Sequence, residues 1–342
     1  MKRIEFQILS ELARSEKSFW SLLDKNHYLL TDFVKALNRL HGRGLITVED
    51  GKLKLTEKGL KALPEAYPEF ESDVCASCEG KRIVFGGRFG YVLEEYRKVV
   101  GERPRPQVKY FQGYMTERDV VARVALMHHY GDLADKEFIL VGDDDLLSVA
   151  LALTSLPKRI MVLDIDERLG KYLKSLNRSY GFSIEFQRYD VSDPLPEDLI
   201  GSFDVFSSEP LETWSGLKAF LSRGVSCLKR NGVGYFGLTT AEASLRKWLK
   251  VERLLTEMNL VVTDIIRDFS AYPMDYGTVD YEKFTVKLDF ETGENPGINW
   301  YKSSLFRFEA LGKPKPAVKP NRKIKIDYLD PEEDITYPLL YR

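Results

Sequence analysis

The chain has 342 residues, enough for two domains with sizeable cores. Its formal net charge of −2 at pH 7 gives no bulk attraction for nucleic acid. No run of about 18 apolar residues is present, and the start lacks the cleavage site of a signal peptide. We therefore expect a cytoplasmic protein without a membrane partner. Charged residues make up 30% of the chain, a balance typical of thermophilic proteins.

The first 66 residues predict three helices followed by a hairpin. Apolar positions recur at helical spacing in three segments, and two short strands then flank the turn Glu49-Asp50-Gly51. The helices fall at residues 4–15, 18–23 and 30–44, and the strands at 45–48 and 52–55. This order, with its LTEKG ending, resembles the winged helix-turn-helix family, and we predict such a domain over residues 1–66.

Winged helices bind DNA or serve as dimerisation modules. The third predicted helix carries Arg39 and Arg43, as a DNA-reading helix would. However, Asp32, Glu49 and Asp50 dilute the positive charge. We therefore expect a packing or dimer role, a homodimer as the assembly, and no nucleic acid as a ligand.

A linker and lead-in strands and helices are predicted over residues 67–130. The linker contains Cys75 and Cys78, which form half of a zinc site at most, since no second cysteine pair is present. A disulfide, two buried thiols and a site shared between subunits stay open, and we expect no metal. Tyr114 lies on the loop before a long amphipathic helix, where it could face a pocket or pack under that helix.

From residue 131 to 312, strands alternate with helices at the spacing of a doubly wound, mostly parallel sheet, so the fold class is α/β. The last two apolar segments, KFTVKLDF and SLFRFEAL, predict an antiparallel pair at the edge of that sheet. The tail, residues 313–342, is rich in proline. We expect it to be extended, or mobile near the mouth of the pocket, rather than packed.

Acidic residues follow four successive strands of this sheet. Ligands of open α/β sheets bind at the carboxyl ends of the strands, where a nucleotide pocket normally has a glycine-rich turn for phosphate. Here Gly142 is followed by three carboxylates, which would repel phosphate, so we expect a cationic or phosphate-free ligand. A helix cap would explain only one of them. In chain order the acids are Asp143, Asp144 and Asp145, then Asp164 and Asp166, then Asp190, then Glu209 and Glu212.

This arrangement resembles the class I methyltransferase fold and, more closely, its aminopropyltransferase branch, the spermidine synthases. Asp145 stands where their glycine-rich loop ends in an aspartate, and Asp164 matches their ribose-binding acid. Asp190 matches their adenine-side aspartate, and Glu209 replaces their catalytic aspartate. The Gly-Asp-Asp-Asp run, together with an amino-terminal winged helix, is similar to the branched-chain polyamine synthases, the N(4)-bis(aminopropyl)spermidine synthases.

The resemblance implies a winged helix ahead of a Rossmann-like catalytic domain of the class I methyltransferase type. It implies transfer of an aminopropyl group from decarboxylated S-adenosylmethionine to the secondary amine of spermidine, with release of 5'-methylthioadenosine. The donor is a co-substrate, and no cofactor is expected. We assign the chemical step to Asp145 and Glu209, donor binding to Gly142, Asp164, Asp166 and Asp190, and acceptor binding to Asp143, Asp144, Glu212 and Tyr114.

Two other functions fit the same pattern less well. A methyltransferase would bring the methionine carboxylate against Asp143 and Asp144, which would repel it. A transcription regulator with an adenosine-sensing domain would need a third helix that binds DNA with a steep salt dependence.

Overall fold

The computed structural model describes residues 1–63, 74–274, 276 and 280–337. The α-helices in these ranges are α1 Arg3–Arg14, α2 Phe19–Leu23, α3 Leu30–Gly42, α4 Glu57–Leu60, α5 Arg88–Val100, α6 Glu117–His129, α7 Leu147–Thr154, α8 Glu167–Tyr180, α9 Trp214–Cys227 and α10 Leu245–Glu257. The strands are β1 Lys17–Ser18, β2 Ile46–Glu49, β3 Lys52–Leu55, β4 Glu137–Val141, β5 Arg159–Asp164, β6 Ile184–Arg188, β7 Phe203–Ser208, β8 Leu228–Thr239, β9 Leu260–Tyr272 and β10 Tyr301–Ala310. None of these helices is long and apolar enough to cross a bilayer.

Seven strands form one twisted sheet in the order β6-β5-β4-β7-β8-β10-β9. The first five are parallel to one another, whereas β10 runs antiparallel to both β8 and β9. From β4 the chain moves outward in one direction through β5 and β6, then returns to the other side of β4 with β7. This switch opens a crevice at the carboxyl ends of β4 and β7, where open α/β sheets bind their ligands. The predicted Rossmann-like α/β sheet is confirmed.

The central strand shows why this sheet forms. Alternate side chains of a strand point to opposite faces. In β4, Phe138 and Leu140 enter the hydrophobic cluster on one face, and Ile139 and Val141 enter the cluster on the other. All four are at most 1% exposed, so both faces must be covered by helices. The apolar run in the sequence is therefore a buried parallel strand.

The amino-terminal unit contains the three helices and the hairpin that the sequence predicts. The short strand β1, which was not predicted, pairs with β3 and completes a three-stranded sheet in the order β1-β3-β2. The unit packs on the rest of the chain. Trp20 donates to the Gly293 carbonyl at 2.9 Å, and the Leu30 N–H donates to the Ala241 carbonyl at 3.1 Å. The predicted boundary at residue 66 and the start of the linker lie outside the described residues.

The predicted edge hairpin is wrong. KFTVKLDF contains a 3-10 helix, Lys283–Lys287, while the next segment is β10 and lies inside the sheet, so β9 forms the edge. The segment packs on the core without forming a strand. Phe284 is fully buried, with its ring 5.2 Å from that of Trp300, and Leu288 and Phe290 pack partly buried against the same core. The apolar pattern therefore reflects these core contacts and not the inward face of a strand.

The tail is extended, as predicted, but residues 313–337 are held to the body of the protein by hydrogen bonds and residues 334–337 are buried, which corrects the expectation from their prolines. The amide of Leu195 donates to the Pro320 carbonyl at 2.8 Å. The buried guanidinium of Arg223 donates to Pro320 at 2.9 Å and to the Arg322 carbonyl at 2.6 Å. A side chain therefore supplies the hydrogen bonds that a neighbouring strand would otherwise provide. Residues 338–342 lie outside the described part of the chain.

Candidate active site

A cavity of about 370 Å³ lies at the carboxyl ends of the parallel strands. Its walls come from the loop before α6, the ends of β4 to β9, and the tail. The lining includes residues 109–113, 163–165, 189–191, 209–213, and 326, 328, 329, 334, 336 and 337. This volume and this position are those of a small-molecule site in an open α/β sheet.

Three of the four donor-side candidates line the cavity: Gly142, Asp164 and Asp190. Gly142 has φ +79°, a conformation that favours glycine, and it turns the chain out of β4. Asp164 accepts from the Asp143 N–H at 3.0 Å and from the Asp166 N–H at 2.7 Å. Its carboxylate thus ties the loop after β4 to the loop after β5, and burial raises its pKa.

Asp166, the fourth donor-side candidate, is not part of the described cavity lining. It caps α8 by accepting from the Arg168 N–H at 3.0 Å, forms an ion pair with the Arg168 guanidinium at 2.6 Å, and accepts from Gln112 at 3.1 Å. Burial opposes its ionisation, but the hydrogen bonds from Arg168 and Gln112 outweigh it and lower the pKa of Asp166. The structure gives it the role of a helix cap that also orients the 105–112 loop.

The three consecutive carboxylates point in different directions. Asp143 is 3% exposed, and it accepts from the Ser148 N–H at 3.1 Å and from the Ser148 hydroxyl, so it caps the start of α7 instead of lining the cavity. Asp144 lines the cavity and accepts from the Gly113 N–H at 3.1 Å. Burial raises the pKa of both well above the usual range. Of this pair only Asp144 is placed to meet an acceptor directly.

Asp145, which is not in the described lining, interacts electrostatically with Glu209, which is part of that lining. Asp145 is 4% exposed and accepts from the Met115 N–H at 2.5 Å. Glu209 lines the cavity, accepts from the Tyr272 hydroxyl at 2.5 Å, and forms an ion pair with Arg123 at 2.5 Å. Burial and then the charge of Glu209 raise the pKa of Asp145 to about 7. A carboxyl group with this pKa can both accept and release a proton near neutral pH.

Gly237 makes room for the Glu209 carboxylate. A Cβ atom at position 237 would lie 1.9 Å from Glu209 Oε2, far inside contact distance. Gly237 lies on β8, directly beside the end of β7 from which Glu209 extends. The space for the carboxylate is therefore built by the neighbouring strand.

A second acidic group lines the cavity on the far side of the Tyr272–Tyr301 ring pair from Glu209, and we call Glu212, Glu242 and Asp334 the far-end acids. Only Glu212 was predicted. Glu242 accepts from the Tyr301 hydroxyl at 2.8 Å and from the Thr336 hydroxyl. Burial is the main cause that raises the pKa of Glu212 to about 8 and that of Asp334 to about 7, and it also raises the pKa of Glu242. Burial disfavours the ionised form of these acids until a cation binds beside them.

Sequence reasoning missed Glu242, although it follows β8 as the other site acids follow their strands. The strand-end rule that was applied to four strands would have found it on the fifth. Asp334 gave no such signal, because the tail that carries it has no regular structure.

Aromatic rings form much of the wall between the two acidic ends. Tyr272, Tyr276, Tyr281 and Tyr301 line the cavity, together with Phe111, Tyr328 and Tyr337 of a stacked group at its mouth. The faces of such rings attract ammonium and sulfonium groups. The cavity therefore suits an extended ligand with positive charge along its length.

Tyr114, the tyrosine assigned to the acceptor, is not in the described lining. The Arg103 guanidinium lies 3.3 Å from its ring centroid, and its ring packs edge-on against Tyr276 at 4.8 Å. The Tyr276 hydroxyl also donates to the Tyr114 carbonyl at 3.1 Å. Tyr114 therefore packs beneath the wall and supports Tyr276, the alternative that the sequence left open.

Known proteins are similar to this chain over most of its length. A family model described as the branched-chain polyamine synthase A C-terminal domain matches residues 91–334. The N(4)-bis(aminopropyl)spermidine synthase of Thermococcus kodakarensis is 40% identical over 298 residues, 85% of this chain and 83% of that protein. Its namesake from Methanocaldococcus jannaschii is 37% identical over 315 residues, 91% of this chain and 88% of that protein.

A solved structure is similar to this chain in fold over nearly its whole length. The branched-chain polyamine synthase from Thermus thermophilus, in complex with N4-aminopropylspermidine and 5'-methylthioadenosine, has a TM-score of 0.82 at 32% identity. The likeness covers 98% of this chain and 93% of that one. The family model, the relatives and the matching fold all point to one family. The chain belongs to the branched-chain polyamine synthases, a family of aminopropyltransferases.

Proposed function

We propose that this chain moves the aminopropyl group of decarboxylated S-adenosylmethionine onto the secondary amine of spermidine and releases 5'-methylthioadenosine. The observation that carries the proposal is one cavity lined by two groups of carboxylates with tyrosine rings between them. Such a cavity attracts a polyamine, which carries several positive charges along its length. The activity is also the one in the names of the relatives.

The nucleoside end of the donor lies at the loops after β4, β5 and β6 in this proposal. Asp164 faces the ribose hydroxyls, because a carboxylate at the end of this strand can accept both O–H bonds. Asp190 lines the same part of the cavity and accepts from the adenine amine. Gly142 leaves the backbone open for the close approach of the donor.

The chemical step needs an amine that has lost its proton, because an ammonium group has no lone pair. The carboxylate pair Asp145 and Glu209 takes that proton, and Asp145 suits the task because its pKa lies near 7. The amine nitrogen then attacks the methylene carbon bound to the sulfonium. The new C–N bond forms as the C–S bond breaks, and its electron pair stays on sulfur as the thioether of 5'-methylthioadenosine.

Branching requires the acceptor to present its middle nitrogen. That geometry needs an anionic anchor on each side of the reacting atom. The far-end acids provide one anchor for a terminal ammonium group, and Asp144 provides the other on the loop after β4. When both ends of spermidine are bound, its secondary amine is held opposite the reacting carbon. The binding energy of the two ends thus offsets the entropy lost in orienting the amine.

We also propose that the amino-terminal unit is a winged-helix domain with a packing role. Its order of three helices and a three-stranded sheet supports this, and Arg39 on its third helix is engaged by Glu5 at 3.2 Å. A helix whose basic side chain is paired within the unit has less charge for DNA. The homodimer and the cytoplasmic location stay predictions.

Product analysis tests the proposed function. The protein is incubated with spermidine and decarboxylated S-adenosylmethionine, and the products are identified by tandem mass spectrometry. We expect spermidine with one or two aminopropyl groups on its middle nitrogen and an equivalent amount of 5'-methylthioadenosine. S-adenosylmethionine is the control donor. Linear spermine as the sole product, or methylated spermidine from the control donor, would contradict the proposal.

A further inference from the structure

Two cysteines lie together outside the cavity, and the proposed function uses neither. Cys75 is exposed and Cys78 is partly exposed. Between them the chain makes a single tight turn, in which the Glu79 N–H donates to the Cys75 carbonyl at 2.8 Å. Residues three apart on such a turn have neighbouring side chains, at a separation that a disulfide can span.

The pKa of the Cys75 thiol is lowered, and the causes are hydrogen bonding to its sulfur from the Cys78 N–H first, then from the Ser77 N–H and the Cys78 thiol. Since the thiolate is the nucleophilic form of cysteine, the turn activates Cys75 and keeps Cys78 beside it.

The turn is held in place by the body of the protein. It ends at Glu79 and Gly80, which have φ +51° and +79°, and leads into Lys81. The Lys81 ammonium pairs with Asp119, a buried residue of α6, and Asp119 also accepts from the Ala271 N–H at 2.8 Å. The sulfur pair therefore lies on an anchored turn that faces solvent.

The third cysteine provides a contrast within the same chain. Cys227 is fully buried at the end of α9, where burial raises its pKa to about 12. It is an inert core thiol. Any chemistry that distinguishes the cysteines of this protein must therefore occur at the exposed pair.

We propose that Cys75 and Cys78 form a redox-active dithiol whose substrates are disulfides of small thiols or of other proteins. The Cys75 thiolate attacks one sulfur of the substrate disulfide and expels the other half as a thiolate. Cys78 then loses its proton and attacks the Cys75 sulfur of the mixed disulfide, which expels the second half. The protein gains the Cys75–Cys78 disulfide, and the substrate takes up two electrons and leaves as two thiols.

A metal site is the competing use of the same pair. In the described ranges, no group of three or more His, Cys, Asp or Glu side chains is arranged around a common point. The exposed, activated sulfur and its resolving neighbour favour thiol exchange.

Oxidised glutathione is the probe for the proposal, with the full-length, reduced protein. We expect two thiols per chain to disappear, and the peptide that contains both cysteines to lose two hydrogen atoms, while Cys227 stays a thiol. C78S should trap glutathione on Cys75, because the resolving thiol is missing. C75S should form neither the intramolecular disulfide nor a mixed disulfide with glutathione. The native protein should also react with iodoacetamide at Cys75 at least about 10-fold faster than at Cys227.

Two results would overturn the proposal. One is equal, slow alkylation of Cys75 and Cys227 with no intramolecular disulfide at any glutathione ratio. The other is tightly bound zinc, released only by a strong chelator, that protects both Cys75 and Cys78 from alkylation. Aminopropyl transfer is not read out in any of these steps, so the outcome is independent of the proposed function.

Discussion

The guanidinium of Arg123 lies 2.5 Å from the carboxylate of Glu209, in the interior of the protein. Arg123 is 1% exposed and also donates to the Ser270 hydroxyl at 3.0 Å. Its charge lowers the pKa of Asp145, against burial and the charge of Glu209, which together raise it to about 7. The charge of Arg123 therefore acts on two carboxylates, and the pKa of Asp145, the proposed base, depends on it.

Replacing Arg123 should therefore move the pH dependence of the reaction. R123M removes the positive charge, so the pKa of Asp145 should rise further. Because Asp145 must be ionised to accept a proton, turnover at saturating substrates should rise with pH as Asp145 ionises. The midpoint of this rise should lie at least about one pH unit higher in R123M than in the native protein. R123K keeps the charge and is the control, expected near the native midpoint. Equal midpoints in native protein and R123M would contradict the role of Arg123.

D145N should stabilise the protein, increasingly so as the pH rises. Unfolded aspartate titrates near about 3.9, whereas folded Asp145 titrates near 7, so between these values the folded state binds more protons. Native stability therefore falls as pH rises through this window. Asparagine has no charge to bury, so the gain should grow between about pH 4 and 7 and then level off, at no more than about 4 kcal/mol.

Thermal unfolding from pH 3 to 8 measures this difference. D166N is the control, and its effect on stability should have the opposite sign, because the pKa of Asp166 is lowered in the folded protein. Its stabilising contribution is present above the unfolded pKa and is lost as pH falls, so D166N should be more destabilised near pH 7 than near pH 3. A D145N gain that does not change with pH would show that Asp145 is not a buried group titrating near 7.

The far-end acids should act on the acceptor alone. E242Q keeps the shape of the side chain and its contacts with Tyr301 but removes the charge that would meet a terminal ammonium group. Losing a charge-assisted hydrogen bond costs about 1.5–3 kcal/mol, so KM for spermidine should rise at least about 10-fold. The affinity for 5'-methylthioadenosine should be unchanged. E257Q, at the exposed end of α10, is the matched control. An unchanged KM in E242Q would remove this anchor from the account.

A methyl group at position 237 should displace the Glu209 carboxylate without unfolding the chain. The atom it meets is the far end of a side chain, which can rotate away. We expect turnover of G237A to fall at least about 10-fold, because the carboxylate leaves its place beside Asp145. G90A, on α5, meets no heavy atom within 4 Å and should keep native turnover. Native turnover in G237A would mean that the position of Glu209 is unimportant.

The sequence predicts the sheet and the first four strand ends well, because both leave local patterns. A buried parallel strand is a continuous apolar run, and the acid that follows it is adjacent in the chain. The pattern cannot distinguish Asp143, Asp144 and Asp145, which have nearly the same neighbours. Only the turn after Gly142 decides that the first caps α7, the second lines the cavity and the third meets Glu209.

Other parts of the site depend on contacts between distant segments. Asp334 reaches the cavity because the tail is held by distant residues, Arg223 at Pro320 and Arg322, and Lys247 at Glu333. KFTVKLDF alternates like a strand, yet Phe284, Leu288 and Phe290 pack on the core from a segment that joins no sheet. Tertiary packing determines these features, and no local pattern contains them.

The turnover of D145N and E209Q, measured beside their affinity for 5'-methylthioadenosine, tests the central claim most directly. Both changes keep the size of the side chain and remove one charge of the pair. The account predicts that turnover with spermidine falls at least about 10²-fold in each variant, because the proton acceptor is lost. Calorimetry should show nearly native 5'-methylthioadenosine binding, since Asp164 and Asp190 are untouched. Near-native turnover in both variants would contradict the assignment of the chemical step to Asp145 and Glu209.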